Sequence, residues 1–208
     1  ALMLDFVKQN VQQLIDQHVY LNCTYQDVLT AIRLEECYDQ RHPVSRSQCR
    51  EHRAAVADYY TDLGWLITSE SASDWAIPNL DSIRVHHARL DAHAHRSDTR
   101  GMVGIPVPLF SLVFHDASLL VSGVMPTIMA ALSGVNTCKL EDRLLRRLHK
   151  KIAYMPQTSH KLLSDDGMEQ EAVFGDSVTV RGNIEKGTYS ICGLDKGEIA
   201  GELQNGRM

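Results

Sequence analysis

The stretch LGWLITSESASDW, residues 63–75, decides the fold class, because it passes from a helix end through a short apolar strand into polar residues. Residues 48–63 are predicted as a helix that ends at Gly64. The strand WLITSE (65–70) follows at once and ends at Glu70. A helix followed by a buried strand is typical of an α/β protein with a parallel sheet, whose functional groups lie at the carboxyl ends of the strands.

The order of helix and strand is predicted elsewhere as well. Residues 3–17 form a helix with apolar residues at helical spacing, and HVYLN (18–22) follows as a short strand. The run VPLFSLVFHD (107–116) is predicted as a third strand, ending at His115 and Asp116. Polar groups thus recur at three strand ends, which is where a parallel sheet places chemistry.

The remaining elements complete an α/β region and a small β region. A short helix near residues 81–95 and two helices over residues 125–133 and 139–155 are expected from their apolar spacing. After Gly167 the chain changes to short β-rich runs separated by Gly-Asp and Lys-Gly turns, which predicts an antiparallel segment.

The bulk composition excludes several classes of partner. The chain has 208 residues, 44% of them hydrophobic and 23% charged, with a net charge of −5 and no long basic run, so we expect neither nucleic acid nor a membrane as partner. Five widely spaced cysteines lack a CxxC pair and are expected as reduced thiols. Without a signal-peptide pattern this favours the cytoplasm, although a segment of a longer secreted protein would look the same.

Two carboxylates are candidates for chemistry, and each has a structural alternative. Asp27 and Glu70 are separated by one helix and two connections, the separation expected for neighbouring strands of a β/α barrel. Carboxylates on adjacent strand ends can act as nucleophile and acid/base on a glycosidic bond. Glu70 could instead cap the next segment or pair with an arginine, and Asp27 lies in a polar stretch where aspartate forms turns.

Other side chains near the strand ends also allow two interpretations. Trp75 fits either the core or a platform on which a sugar ring stacks. His115 and Asp116 could contact a ligand or form a hydrogen-bonded pair that ends a strand. The imidazoles of His86, His87, His93 and His95 could bind zinc, but no carboxylate or cysteine frame completes a known site, so we predict no metal centre. The sequence also lacks G-x-S-x-G, P-loop and G-x-G-x-x-G motifs.

An ordered set of segments resembles a known family. The segments are QDVLTA (26–31), LEECYDQRHPVSRSQCRE (34–51), GWLITSESASDWAIPNLD (64–81), IPVPLFSLVFHDA (105–117) and the run from LHKKIAYM to VTVRGNI (148–184). In this order they resemble bacterial glycoside-hydrolase-like β/α-barrel proteins, distantly related to the endo-α-N-acetylgalactosaminidases. The resemblance implies part of a (β/α)8 TIM-type barrel, from about the fourth strand onward, in residues 1–165. Residues 166–208 would begin an antiparallel, sandwich-like β domain.

The resemblance also implies roles for particular residues. Asp27 would be the nucleophile and Glu70 the acid/base of a retaining α-glycosidase, with Asp74, Trp75, His115 and Asp116 lining the sugar subsite. This chemistry requires no metal and no organic cofactor. If HVYLN is the strand, Asn22 stands at its end instead of an aspartate. The sequence spacing between Asp27 and the motif Glu36-Cys37-Tyr38-Asp39 resembles the spacing in the family, and this resemblance favours Asp27 as the nucleophile.

The predicted partners follow from the incomplete barrel. The resemblance begins near the fourth strand of a fold that usually needs about 250 residues. We therefore expect a fragment whose partners are a carbohydrate and either the missing N-terminal part of the barrel or another chain. The alternative functions are an inactive carbohydrate-binding or structural remnant of such a barrel and, less favoured, a metal-dependent hydrolase using the histidine cluster.

Overall fold

The structure is a computed structural model that describes residues 2–71, 73–84, 105, 107–122, 127–134, 136–137 and 143–202. The fold is mixed α/β, with a parallel sheet and a separate antiparallel five-stranded sheet. The chain divides into two compact units, unit 1 (Ala1–Ile83) and unit 2 (Arg84–Met208). The predicted domains, 1–165 and 166–208, stay a prediction, because a division of the chain into compact units does not test them.

Unit 1 alternates helices with short strands. Its elements in chain order are α1 (Leu2–Asp16), β1 (Cys23–Gln26), α2 (Arg46–Asp62), β2 (Leu66–Glu70), a 3-10 helix (Asp74–Asn79) and β3 (Ser82–Arg84). β2 lies between β1 and β3 in the strand order. The prediction of a short helix from residue 81 is wrong at 82–84, and its remainder lies outside the described residues.

Local sequence explains both ends of α2. Ser45 accepts a hydrogen bond from the backbone of Gln48, whose side chain bonds back to the Ser45 backbone, forming a capping box. Gly64 follows the helix with a φ of 75°, a left-handed conformation that glycine adopts without strain. The chain then turns directly into β2, as the sequence predicted.

The strand predicted over residues 18–22 is wrong. His18 has a φ of 57°, and the Val19 N–H donates to the Leu14 carbonyl at 2.9 Å, so this segment ends helix α1 instead. The strand that pairs with β2 begins at Cys23, and the Asn22 carbonyl accepts from Leu66 N–H at its start. Asn22 therefore precedes β1 rather than ending a strand.

Unit 2 combines short helices with two groups of strands. Its elements are α3 (Leu109–Phe114), β4 (Leu119–Ser122), α4 (Thr127–Leu132), β5 (Asn136–Thr137), α5 (Arg143–Ile152) and the strands β6 (Gln157–Leu162), β7 (Glu169–Phe174), β8 (Val178–Asn183), β9 (Thr188–Asp195) and β10 (Gly197–Glu202). β4 and β5 pair in parallel. The predicted helices 125–133 and 139–155 are confirmed over residues 127–132 and 143–152, while residues 133 and 153–155 lie outside the helices.

The third predicted strand is also wrong, because residues 109–114 form helix α3. A short continuous apolar run does not by itself distinguish a buried strand from a buried helix. Here Pro108 supplies the residue before the helix, and the buried Ser111 hydroxyl donates to the Ser133 carbonyl at 2.6 Å. Tertiary contact within unit 2, rather than local pattern, decides this segment.

Strands β6 to β10 form an antiparallel meander with one buried face. Ala172, Phe174, Val178, Val180 and Ile191 are fully buried in this unit. The meander begins at Gln157, about ten residues before the change in composition after Gly167. The sequence did not predict this first strand, because β6 (QTSHKL) is too polar to be recognised as a strand.

Among the described residues, no helix is long and apolar enough to cross a membrane.

Candidate functional site

Strands β1 and β2 bring the two predicted carboxylates to the same end of a parallel pair. Gln26 is the partner of Ser69 in the strand register, so Asp27 and Glu70 are the next residue on each strand path. Neighbouring strands are about 4.8 Å apart. Asp27 therefore directly follows the carboxyl end of β1, and Glu70 is the last residue of the neighbouring β2.

One face of this strand pair carries polar and apolar side chains that are open to solvent. Because side chains alternate along a strand, Tyr25 shares a face with Leu66, Thr68 and Glu70. Tyr25 is 45% exposed and Leu66 is 61% exposed. The Tyr25 hydroxyl donates to Glu70 Oε2 at 3.2 Å. Sequence analysis missed Tyr25, because it lies in a stretch with no strand signal of its own.

Buried hydroxyls fasten the turn after β1 to the end of β2. The Thr30 hydroxyl, in a residue only 3% exposed, donates to the Glu70 carbonyl and lies 3.0 Å from Ser69 Oγ. Ser69 Oγ in turn donates to the Gln26 carbonyl at 2.7 Å. Buried polar groups are costly without partners, so these bonds fix the turn that carries Asp27. Thr30 was also missed, since threonine in a loop gives no distinctive signal.

A second attachment joins the same turn to α2. The Arg53 guanidinium donates to the carbonyls of Leu29, Ile32 and Arg33, at 3.3, 2.6 and 3.0 Å. Arginine can satisfy several acceptors because its five N–H groups form a planar fork. The loop after Asp27 is therefore held from both the strand side and the helix side.

The residue after each candidate carboxylate has a strained backbone. Val28 has a φ of 53° and Ser71 a φ of 63°, in the left-handed region that side chains other than glycine rarely adopt. A β-branched residue such as valine is especially unfavourable there. Such strain costs about 1–3 kcal/mol per residue and clusters at functional sites.

The side chains of the Glu-Cys-Tyr-Asp motif form contacts within their own loop. Arg41 bonds the Asp39 carboxylate through Nη2 at 2.8 Å, and these bonds lower the pKa of Asp39. Cys37 pairs with Val44 in an antiparallel bridge. The Tyr38 hydroxyl donates to Glu36 Oε2 at 2.9 Å. An ion pair between Glu36 and Arg46 at 3.5 Å also joins this loop to the first residue of α2.

The two predicted subsite residues in unit 1 begin the 3-10 helix. Asp74 is exposed, and its carboxylate accepts from the Trp75 backbone N–H at 2.8 Å, as an acidic residue does at the start of a helix. Trp75 is half-buried. Their contact with a sugar stays a prediction.

The two predicted subsite residues in unit 2 follow helix α3 instead of ending a strand. His115 is 1% exposed, and its Nδ1 lies 2.6 Å from the Met155 carbonyl oxygen while its Nε2 lies 3.1 Å from the Gly134 carbonyl oxygen. Its ring packs on Phe174 at 4.9 Å. Asp116 is exposed. His115 thus has a structural role in unit 2, and contact of either residue with sugar stays a prediction.

A second histidine adjoins the same carbonyl. His149 Nδ1 lies 3.2 Å from the Gly134 carbonyl oxygen. Burial, with a smaller contribution from nearby His115, lowers the pKa of His149, while the bond to Gly134 opposes this shift. The neutral form of His149 is therefore favoured in the folded unit.

Metal binding finds no support in the part of the chain that the structure describes. There, no three histidine, cysteine, aspartate or glutamate side chains are grouped so as to hold an ion. The predicted histidine cluster, His86 to His95, lies outside the described residues.

Comparison with known proteins agrees with a glycoside-hydrolase-like fold. The sequence matches no family model and no curated protein sequence. Similar solved structures include those of the α-N-acetylgalactosaminidase NagBb from Bifidobacterium bifidum. A quadruple mutant is 28% identical with a TM-score of 0.78, matching 91% of this chain and 34% of that chain. The complex of NagBb with GalNAc is 27% identical with a TM-score of 0.78, matching 92% and 34%.

These matches confirm the predicted resemblance as a distant, partial relationship. The complex of NagBb with Gal-NHAc-DNJ gives the same result, with 26% identity and a TM-score of 0.79. The chain spans about a third of the length of the NagBb chains it matches, 34% in each of these three structures. The likeness includes most of this chain, so it is not confined to one motif.

The strain at Ser71 yields a stability prediction. Ser71→Gly should raise the free energy of unfolding by about 0.5–1 kcal/mol, because glycine removes the left-handed penalty but adds entropy to the unfolded chain. Urea denaturation measures the change. Ser73→Gly is the matched control and should destabilise, since Ser73 has a φ of −110° and its hydroxyl donates to the Thr30 carbonyl. Equal effects of the two substitutions would contradict the assignment of strain.

The buried His115 yields a second prediction. His115→Leu should lower the free energy of unfolding by about 1–3 kcal/mol, because the partly buried Met155 carbonyl loses its imidazole partner, whereas the Gly134 carbonyl keeps His149. His115→Gln, which keeps amide N–H donors, should lower it less. Denaturant unfolding of both variants tests this order. An unchanged stability in the leucine variant would show that the ring nitrogens are not needed.

Proposed function

We propose that this chain is part of a retaining α-glycoside hydrolase in which Asp27 is the nucleophile and Glu70 the acid/base. The observation that carries the proposal is the register of β1 and β2, which sets both residues at the carboxyl end of adjacent parallel strands. The strand spacing of about 4.8 Å is compatible with the carboxyl separation of about 5–5.5 Å that a retaining mechanism uses.

The proposed reaction proceeds in two steps. In the first, Glu70 donates its proton to the leaving oxygen while a carboxylate oxygen of Asp27 bonds to the anomeric carbon, and the glycosidic bond breaks. In the second, ionised Glu70 takes a proton from water, whose oxygen attacks the anomeric carbon and releases Asp27. Each step needs only these two carboxyl groups and water, so the proposed reaction uses no cofactor.

The proposed substrates are α-linked N-acetylgalactosaminides, because NagBb is an α-N-acetylgalactosaminidase. Trp75, which is partly exposed, offers an aromatic ring for the apolar face of a sugar, and the exposed Asp74 carboxylate can accept bonds from sugar hydroxyls. Both residues follow β2 by only a few positions. They are therefore the first choices for the subsite.

Substitution of the two carboxylates tests the proposal. Glu70→Gln should lower turnover of phenyl α-N-acetylgalactosaminide by about 10²- to 10⁴-fold, and Asp27→Asn by at least as much, because each removes a reacting group. Turnover should be measured in the longest natural form of the protein. Asp62→Asn and Glu51→Gln, which change exposed carboxylates on α2, are the controls and should match the parent.

The outcomes separate the candidate functions. Unchanged turnover in both carboxylate variants would reject the residue assignments. Saccharide binding by calorimetry without turnover in the parent would favour the alternative, a carbohydrate-binding remnant of a barrel. The length of the match, 34% of NagBb, is the observation that keeps this alternative open.

We further propose that the remaining part of a barrel, in the same protein or in another chain, covers the open face of β1 and β2. Parallel sheets are normally buried on both faces. Here Cys23, Tyr25 and Leu66 share one exposed face, and β1 stands at the end of the strand order. Exposed Tyr25 and Leu66 on this face, together with an open strand edge, favour a covering partner.

Thiol labelling tests this partner. Cys23 should react several-fold more slowly with a maleimide in the longest natural form of the protein than in this 208-residue chain, because its face becomes covered. Cys192, also exposed but in unit 2, is the reference thiol. Equal protection of both cysteines would indicate a general effect, and no protection of Cys23 would contradict the proposal.

A further inference from the structure

The hydrogen bond between Tyr25 and Glu70 links the two strands at the candidate site. It joins side chains that are 45 positions apart in the sequence, with an Oη to Oε2 distance of 3.2 Å. Tyr25 is the register partner of Thr68, and Glu70 lies two residues further along β2 on the same face. The strand pairing therefore creates this contact, which neither strand could make alone.

A bond of this kind restricts a flexible carboxylate. A glutamate side chain has three rotatable bonds and loses substantial rotamer freedom when it is held in one orientation. The Tyr25 hydroxyl is carried by a rigid aromatic ring on the neighbouring strand, so its oxygen has few alternative positions. Because Oε2 accepts the phenolic proton, the other carboxyl oxygen is favoured as the carrier of the acidic proton.

We propose that Tyr25 is a positioning residue that orients Glu70 for proton transfer to the leaving oxygen. This inference rests on the proposed function, since it assigns Tyr25 a role through the acid/base. Tyr25 forms no bond to the reacting atoms. The bond from Tyr25 excludes unproductive orientations of the Glu70 carboxyl group, from which the proton cannot reach the glycosidic oxygen.

The chain supplies a matched control for this bond. Tyr38 donates to Glu36 Oε2 at 2.9 Å in the exposed motif loop, so Tyr38→Phe removes the same chemical interaction elsewhere in unit 1. Both phenylalanine variants keep the aromatic ring. Any difference between them therefore reports on the position of the bond rather than on the loss of a phenol.

Leaving-group dependence distinguishes positioning of an acid from a general structural effect. Tyr25→Phe should lower kcat for phenyl α-N-acetylgalactosaminide about tenfold, as expected for loss of one bond to a charged group, with KM within about twofold. For the 2,4-dinitrophenyl glycoside, whose leaving group needs little protonation, the loss should nearly disappear. Tyr38→Phe should match the parent on both substrates.

Two kinetic results would overturn the inference. Full activity of Tyr25→Phe, or an equal loss on both substrates, would show that Tyr25 does not act through acid catalysis. Glu70→Gln is measured beside it. If Glu70→Gln is impaired while Tyr25→Phe is not, only the inference fails; if Glu70→Gln is also fully active, the proposed function fails as well.

A measurement on the carboxyl group tests the bond without turnover. Carbon-13 NMR of labelled glutamate side chains follows the titration of Glu70, with the carboxyl of neighbouring Asp27 followed in matching spectra of labelled aspartate. A donor to the carboxylate favours its ionised form, so Tyr25→Phe should move the Glu70 midpoint to higher pH, whereas Tyr38→Phe should leave it unchanged. An unchanged Glu70 midpoint in Tyr25→Phe would overturn the inference even in an inactive protein.

Discussion

The parallel pairing of β1 with β2, fastened by the buried hydroxyls of Thr30 and Ser69, is the constraint on which the candidate site depends. The register sets the path of Asp27 beside Glu70, and the hydroxyls hold the turn after β1 against the end of β2. In a buried position each hydroxyl would cost about 1–3 kcal/mol without its partner. The same bonds that stabilise the turn therefore specify where the carboxylates stand.

The strained backbone of two residues at the site depends on this constraint. Val28 and Ser71 adopt left-handed conformations directly after Asp27 and Glu70, so both chains turn sharply as soon as the carboxylates have been placed. Local preferences would relax these turns. The Thr30 bonds and the Arg53 fork hold one of them from two sides, which lets the backbone keep a conformation that it would otherwise leave.

Unit 2 uses buried polarity in a different way. His115 was predicted at the end of a strand with a ligand role, but it follows a helix and spans the carbonyls of Gly134 and Met155 within the core of its unit. Both carbonyls belong to turns that precede or follow other elements. A single imidazole thus connects three segments of unit 2, which explains why a buried polar side chain occupies this position.

The sequence by itself determined the elements with strong local signals. Gly64 predicted the end of α2, and the apolar run after it predicted β2 and its end at Glu70. The Asp27 position was favoured only through the resemblance. Periodicity misplaced β1 and read α3 as a strand, since a four-residue strand and a six-residue helix contain too few positions to show a period.

Only the tertiary structure decided which side chains meet. The bonds of Tyr25 to Glu70 and of Thr30 to Ser69 join residues about 40 positions apart, and their existence follows from strand register, which is set by pairing and burial rather than by the residues on one strand. Local sequence determined where β2 ends in a carboxylate. Its orientation, and the strand beside it, depend on long-range contacts that no local pattern contains.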